Sequence, residues 1–175
     1  MFKETMQTLD RIIERISYYA VYISGLLAVI MAFMATYGVV RRYVLDNPEP
    51  YSYELSPMLL VVGIVLAIPY IQRVGRHLRV DILAGRFPEG VQTVLLNILV
   101  PLLAIFYLGL MTWHSWADAM HSLEIGEKTY TAWAPPMFPI KIWVPIGVGL
   151  LCLVLFAQLC RGIYLLKERI VKTRQ

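Results

Sequence analysis

Charge is scarce in this sequence, and four long stretches have none at all. Only 16% of the 175 residues are Asp, Glu, Lys or Arg, against about a quarter in a soluble domain. From Ser17 to Val40, Leu55 to Gln72, Gly90 to Trp113 and Ile142 to Cys160, no Asp, Glu, Lys, Arg or His interrupts the run. Cysteine is nearly absent too. The two present, Cys152 and Cys160, lie in the last run, where one helix holds them too far apart to pair. They match no metal motif and read as small core residues. Histidine occurs three times and never inside a run. His114 and His121 share one helix and His77 lies across the membrane from them, so none of them supplies opposite axial ligands to a haem. These scarcities leave a chain with no nucleophile and base set together, no expected cofactor or metal, and no enzymatic activity.

What is present is hydrocarbon. Hydrophobic residues make up 58% of the chain and the mean hydropathy is +0.62. Each uncharged run is long enough to cross about 30 Å of bilayer as a helix. None alternates strictly, as a membrane barrel strand would. The net charge of +4 would suit nucleic acid, but the basic residues flank the apolar runs, and no nucleic-acid partner is expected. The fold class is therefore an all-α integral membrane protein of four spans in a single membrane domain, 1–175.

Orientation follows from the flanking Lys and Arg. The N-terminal tail, the segment after span two and the C-terminal tail hold twelve of the 16, and the other two loops hold only Arg41, Arg42, Lys128 and Lys141. Both termini are expected in the cytoplasm. Arg73, Arg76 and Arg79 are expected among anionic phospholipid headgroups. Residues 1–16 place Phe2, Met6, Leu9, Ile13 and Ile16 at helical spacing between charged residues. They read as a short amphipathic interfacial helix leading into span one. The loop 114–141 is expected to hold a helical turn before the Pro135–Pro136 breaker.

Membrane pumps and coupled transporters place ionisable groups at depth, and these runs offer only Asn97, Gln158 and scattered hydroxyls. Such amides usually join helices. An autonomous exporter would need an embedded carboxylate, and a redox-complex anchor would need histidines in the spans, so a subunit is favoured over both. Gly25, Ala28, Ala32 and Ala35 form a small-residue stripe on span one, and Gly63 and Ala67 a pair on span two. These favour close helix packing, either within the chain or on a partner. Pro69, Pro101 and Pro145 are expected to bend spans two, three and four.

Two polar clusters sit at the interfaces. Arg42 and Glu54 flank the outer Asn47-Pro48-Glu49-Pro50 loop and are expected to pair across it. Gly75-Arg76-His77-Leu78-Arg79-Val80-Asp81 follows span two, with His77 and Asp81 four apart and structural in role. His114, Asp118 and His121 share a face outside span three and read as its wet side rather than a metal site.

Taken together these residues resemble the small permease subunit of tripartite ATP-independent periplasmic (TRAP) transporters. The matching features are Arg42, a Pro-containing outer loop and Tyr53-Glu54, then Gly75, His77, Val80 and Asp81 with Leu83 and Pro88. Gly126, Thr129 to Thr131, and Trp143 with Pro145-Ile146-Gly147 complete them. Trp133-Ala134-Pro135-Pro136 departs from the family pattern. The resemblance implies a bacterial inner-membrane protein bound to a large permease that holds the sodium and substrate sites. A periplasmic binding protein would deliver an organic anion to that permease. It also implies that Arg42 and Glu54 stabilise the outer hairpin, and that Gly75, His77, Val80 and Asp81 shape the cytoplasmic turn. Asp46, Glu49, Glu124, Glu127 and Lys128 would help dock the binding protein.

Overall fold

A computed structural model describes residues 2–74, 98–131 and 133–173. The described part is helical: α1 (Phe2–Tyr43), α2 (Tyr51–Arg73), α3 (Val100–Glu124), the four-residue α4 (Phe138–Lys141) and α5 (Trp143–Thr173). Among the described residues no strand forms. A single antiparallel bridge joins Lys128 and Pro136. Four stretches, Asp10–Tyr43, Tyr51–Arg73, Val100–Glu124 and Phe138–Cys160, are long and apolar enough to cross a membrane.

Two elements run further than charge alone predicts. The segment 2–16, expected as a helix leading into span one, joins it without a break, and α1 is one helix of 42 residues. No glycine or proline occurs before Gly25 to break the ladder. Likewise α3 passes Trp113 and runs on to Glu124. His114 and Asp118 end the hydrocarbon stretch but not the backbone hydrogen bonds. Residues 90–97, expected to begin span three, lie outside the described residues. Pro101 and Pro145 stand in the first turns of α3 and α5, where a missing N–H costs little, whereas Pro69 lies inside α2.

α1 and α2 form the closest pair. Along α1 the residues Ile13, Ser17, Ala20, Ser24, Leu27, Met31, Met34, Gly38 and Arg41 are buried or half-buried. Their spacing alternates between four and three, the seven-residue rhythm of a knobs-into-holes seam. Small residues set its approach. Ser24 Oγ donates to the Gly63 carbonyl at 2.7 Å. A Cβ on Gly38 would lie 2.8 Å from Ser52 Cβ. Ala20, Val62 and Leu66 make the buried core, with Leu27, Ile140 and Leu150 packed against it.

α5 lies against the opposite face of α2. Gln72 Nε2 donates to Gln158 Oε1 at 3.0 Å, and Gln158 Nε2 returns a bond to the Gln72 carbonyl at 3.2 Å. Gln158 thus joins two helices, as an amide in a span is expected to. At the other end of this contact Gly147 meets the Val65 backbone. α3 packs on α5 on the side away from α1, with Gly149 close to Thr112.

Candidate functional site

The loops that follow α1 and α3 are built from backbone caps. α3 ends in a Schellman turn: Glu127 N–H donates to the Ser122 carbonyl at 3.0 Å and Gly126 N–H to that of Leu123 at 3.3 Å. Gly126 takes the left-handed conformation this turn requires, φ 61°. The chain then folds back on itself. Thr129 N–H donates to the Pro135 carbonyl at 3.1 Å and Met137 N–H to that of Glu127 at 2.9 Å. Lys141 Nζ clamps the base of this hairpin, 2.7 Å from Glu127 and 3.1 Å from Asp118. The Lys141 hydrogen bond holds the Glu127 carboxyl below its ordinary range, with a further contribution from Ser122. Trp133 packs edge-on against Tyr51 of α2, ring centroids 5.0 Å apart. In place of the helical turn expected directly before Pro135–Pro136, the chain forms this braced hairpin, while the helix of α3 ends at Glu124.

In the loop between α1 and α2 Glu49 is half-buried. Its carboxylate accepts from the backbone N–H groups of Tyr51 and Ser52, both at 3.2 Å, and from the Ser52 hydroxyl. A proline occupies the N-cap position and supplies no side-chain oxygen, so Glu49 caps α2 from one residue earlier. Asp46 adopts φ 47° at the exit of α1, a conformation that short polar side chains tolerate.

The structure does not bring Arg42 and Glu54 together. The Arg42 guanidinium lies 5.6 Å from the ring centre of its neighbour Tyr43. Glu54 is only 8% exposed, with no hydrogen-bond partner for its buried Oε2. Helix rotation explains the separation. Ser52 faces α1, and Glu54, two residues on, points about 200° away toward the α4–α5 side. It shares that face with Val65 and Gln72, both of which meet α5. Arg41, rather than Arg42, occupies the α1 seam.

On the other side of the bundle Arg73 is engaged within the chain. Its guanidinium donates to the Asp10 carbonyl at 3.1 Å and pairs with Glu14 at 3.0 Å. Gly75, Arg76, His77, Arg79, Val80 and Asp81 lie outside the described residues. Among the described residues no three His, Cys, Asp or Glu side chains gather as a metal site. Asp118 is joined to Lys141, and His114 and His121 are exposed.

Between α3 and α5 lies a groove of about 420 Å³ lined by Gly109, Trp113, Trp116, Pro145 and Gly149 among others, with no polar lining. The Thr112 hydroxyl beside it is tied to the Leu108 carbonyl at 2.7 Å. This groove fits hydrocarbon and offers nothing to an anion. The lateral faces are equally apolar. Gly25, Ala28, Ala32 and Ala35 are exposed, about 100° round α1 from the seam with α2. Among the described residues no atom of another element comes within 4 Å of a Cβ placed on Gly25. Among the described residues the small-residue stripe is thus left unpacked. Sequence reasoning missed Lys141 as the hairpin clamp and Arg41 as the seam arginine. The seven-residue rhythm of α1 was a signal for the second, while nothing local marked the first.

Comparison with known proteins agrees with this architecture. The small permease protein TeaB of an ectoine TRAP transporter, from Halomonas elongata, is 26% identical over 144 residues, covering 80% of this chain and 70% of TeaB. Residues 31–164 match the model of the DctQ component of tripartite ATP-independent periplasmic transporters. That match takes in most of the four-helix body and the whole hairpin after α3, so the chain belongs to the DctQ family, the small permease subunits of TRAP transporters.

Proposed function

We propose that this chain is the stationary scaffold of a sodium-coupled, binding-protein-dependent transporter of organic anions, with substrate and sodium held by the large permease. Membership of the family makes it a transporter component rather than an enzyme, and a multi-pass inner-membrane protein. Its partners there are a large permease and a binding protein. The observation that carries the scaffold role is the packing of α1. One side is zipped to α2, while among the described residues nothing packs on the small-residue side, which suits a helix of another chain. Both termini lie in the cytoplasm, supported by twelve of the 16 Lys and Arg residues falling on that side. Arg76 and Arg79 meet phospholipid headgroups there.

The test is copurification from native membranes. Ala28→Leu with Ala32→Leu fills the free face without touching the α2 seam. The doubly substituted chain is expected to keep its helical circular dichroism but lose the large permease on affinity purification, and sodium-driven uptake with it. Stoichiometric recovery of the permease with unchanged uptake would overturn this assignment.

A further inference from the structure

The charged residues of the outer loops are the obvious candidates for docking a soluble partner, yet two of the five expected are already engaged. Glu49 caps α2, and Glu127 is held by Lys141. What the hairpin presents at its tip is an aromatic ring. Tyr130 is fully exposed. It is flanked by Thr129 and Thr131, whose hydroxyls bond each other at 2.9 Å. Beneath this tip stand the Schellman turn, the two cross-hairpin hydrogen bonds, the Lys141 clamp and the Trp133–Tyr51 contact. An exposed tyrosine on so braced a loop loses little freedom on binding, which is why rigid tyrosines act as anchors in protein interfaces.

Position selects the occupant. α3 continues from Trp116 to Glu124, roughly 12 Å at the helical rise. This stretch carries Asp118, His121 and Glu124, all exposed. A bilayer does not accept such a surface, so the hairpin lies outside the hydrocarbon, braced on the ends of α2 and α4. There a water-soluble protein can meet it.

We propose that Tyr130 is the anchor through which this subunit engages the soluble binding protein, and that the contact is aromatic rather than ionic. The proposal rests on the transporter-subunit reading above. Its test is uptake by proteoliposomes holding the complete membrane complex, titrated with binding protein. Tyr130→Ala is expected to raise the half-saturating concentration about tenfold, the loss of a modest hot spot. Maximal uptake should stay unchanged, and Tyr130→Phe should keep most of the affinity. Raising the salt from about 50 to about 300 mM should move half-saturation by less than about threefold. An unchanged half-saturation in Tyr130→Ala would overturn the proposal. So would a loss confined to Glu124→Gln or Lys128→Gln with steep salt dependence. If binding protein fails to support uptake even with the unsubstituted chain, the transporter-subunit reading itself falls.

Discussion

Replacing Gly147 with alanine puts one methyl group where α5 and α2 leave no room for it. The new Cβ would lie 2.7 Å from the Val65 carbonyl oxygen and 3.1 Å from its carbon, and would also strike Val65 Cγ1. Carbon contacts settle at about 3.5–4.0 Å. The valine side chain can rotate, but a helix carbonyl cannot, so α2 and α5 must part. Overpacking of this kind costs about 1–3 kcal/mol, and alanine's better helix propensity returns up to about 1 kcal/mol. From the middle of that range the expected net loss is about 1 kcal/mol, with the Gln72–Gln158 pair loosened as well. Unfolding of the purified chain by SDS titration in mixed micelles, followed by circular dichroism, measures it. Gly25→Ala is the control, since nothing lies within 4 Å of its added Cβ, and it should leave stability unchanged or slightly raised. Val65→Ala in the Gly147→Ala background should rescue only in part, because it removes the methyl clash and leaves the carbonyl. A Gly147→Ala chain as stable as the unsubstituted one would refute the close approach of these helices.

Two further expectations concern the loops after α1 and α3. Glu127 has its carboxyl held below the ordinary value of 4.5 by Lys141. A lowered folded-state pKa means that its contribution is fully present above about pH 4.5 and is lost as pH falls through the lowered value. Hydrogen exchange across 126–137, corrected for its intrinsic pH dependence, should therefore be flat in neutral solution and accelerate in acid, and Glu127→Gln should abolish that acid step. Glu49→Ala should cost about 1 kcal/mol through the lost α2 cap, read in the same SDS titration, with Glu49→Asp recovering part of it.

How much of this was legible beforehand depends on the range of the interaction. The four spans follow from the absence of charge, a property each segment carries by itself. Gln158 was readable as an interhelical amide for the same reason, although its partner Gln72 was not, since register between helices is set by contacts along their whole length. Arg42 and Glu54 looked like a pair because both flank one short loop. Rotation of about 200° between Ser52 and Glu54 decides otherwise, and only the known direction of α1 from Ser52 reveals it. Glu49 and Glu127 looked like free surface charge because the groups that engage them are helix N–H donors and a lysine fourteen residues away. Gly126 stood out only as part of a family pattern, and the left-handed Schellman turn supplies its physical reason.

The uninterrupted course of α1 has a mechanical consequence. Its 42 residues make a rod of roughly 63 Å at the helical rise, about twice the hydrocarbon thickness. A hydrophobic mismatch is commonly absorbed by tilting or kinking one helix. Here a kink would break the α2 seam, and Arg73 ties the far end of α2 to Asp10 and Glu14. When the bilayer thins or thickens, α1 and α2 must therefore lean together as one body, carrying any partner docked on α1 with them.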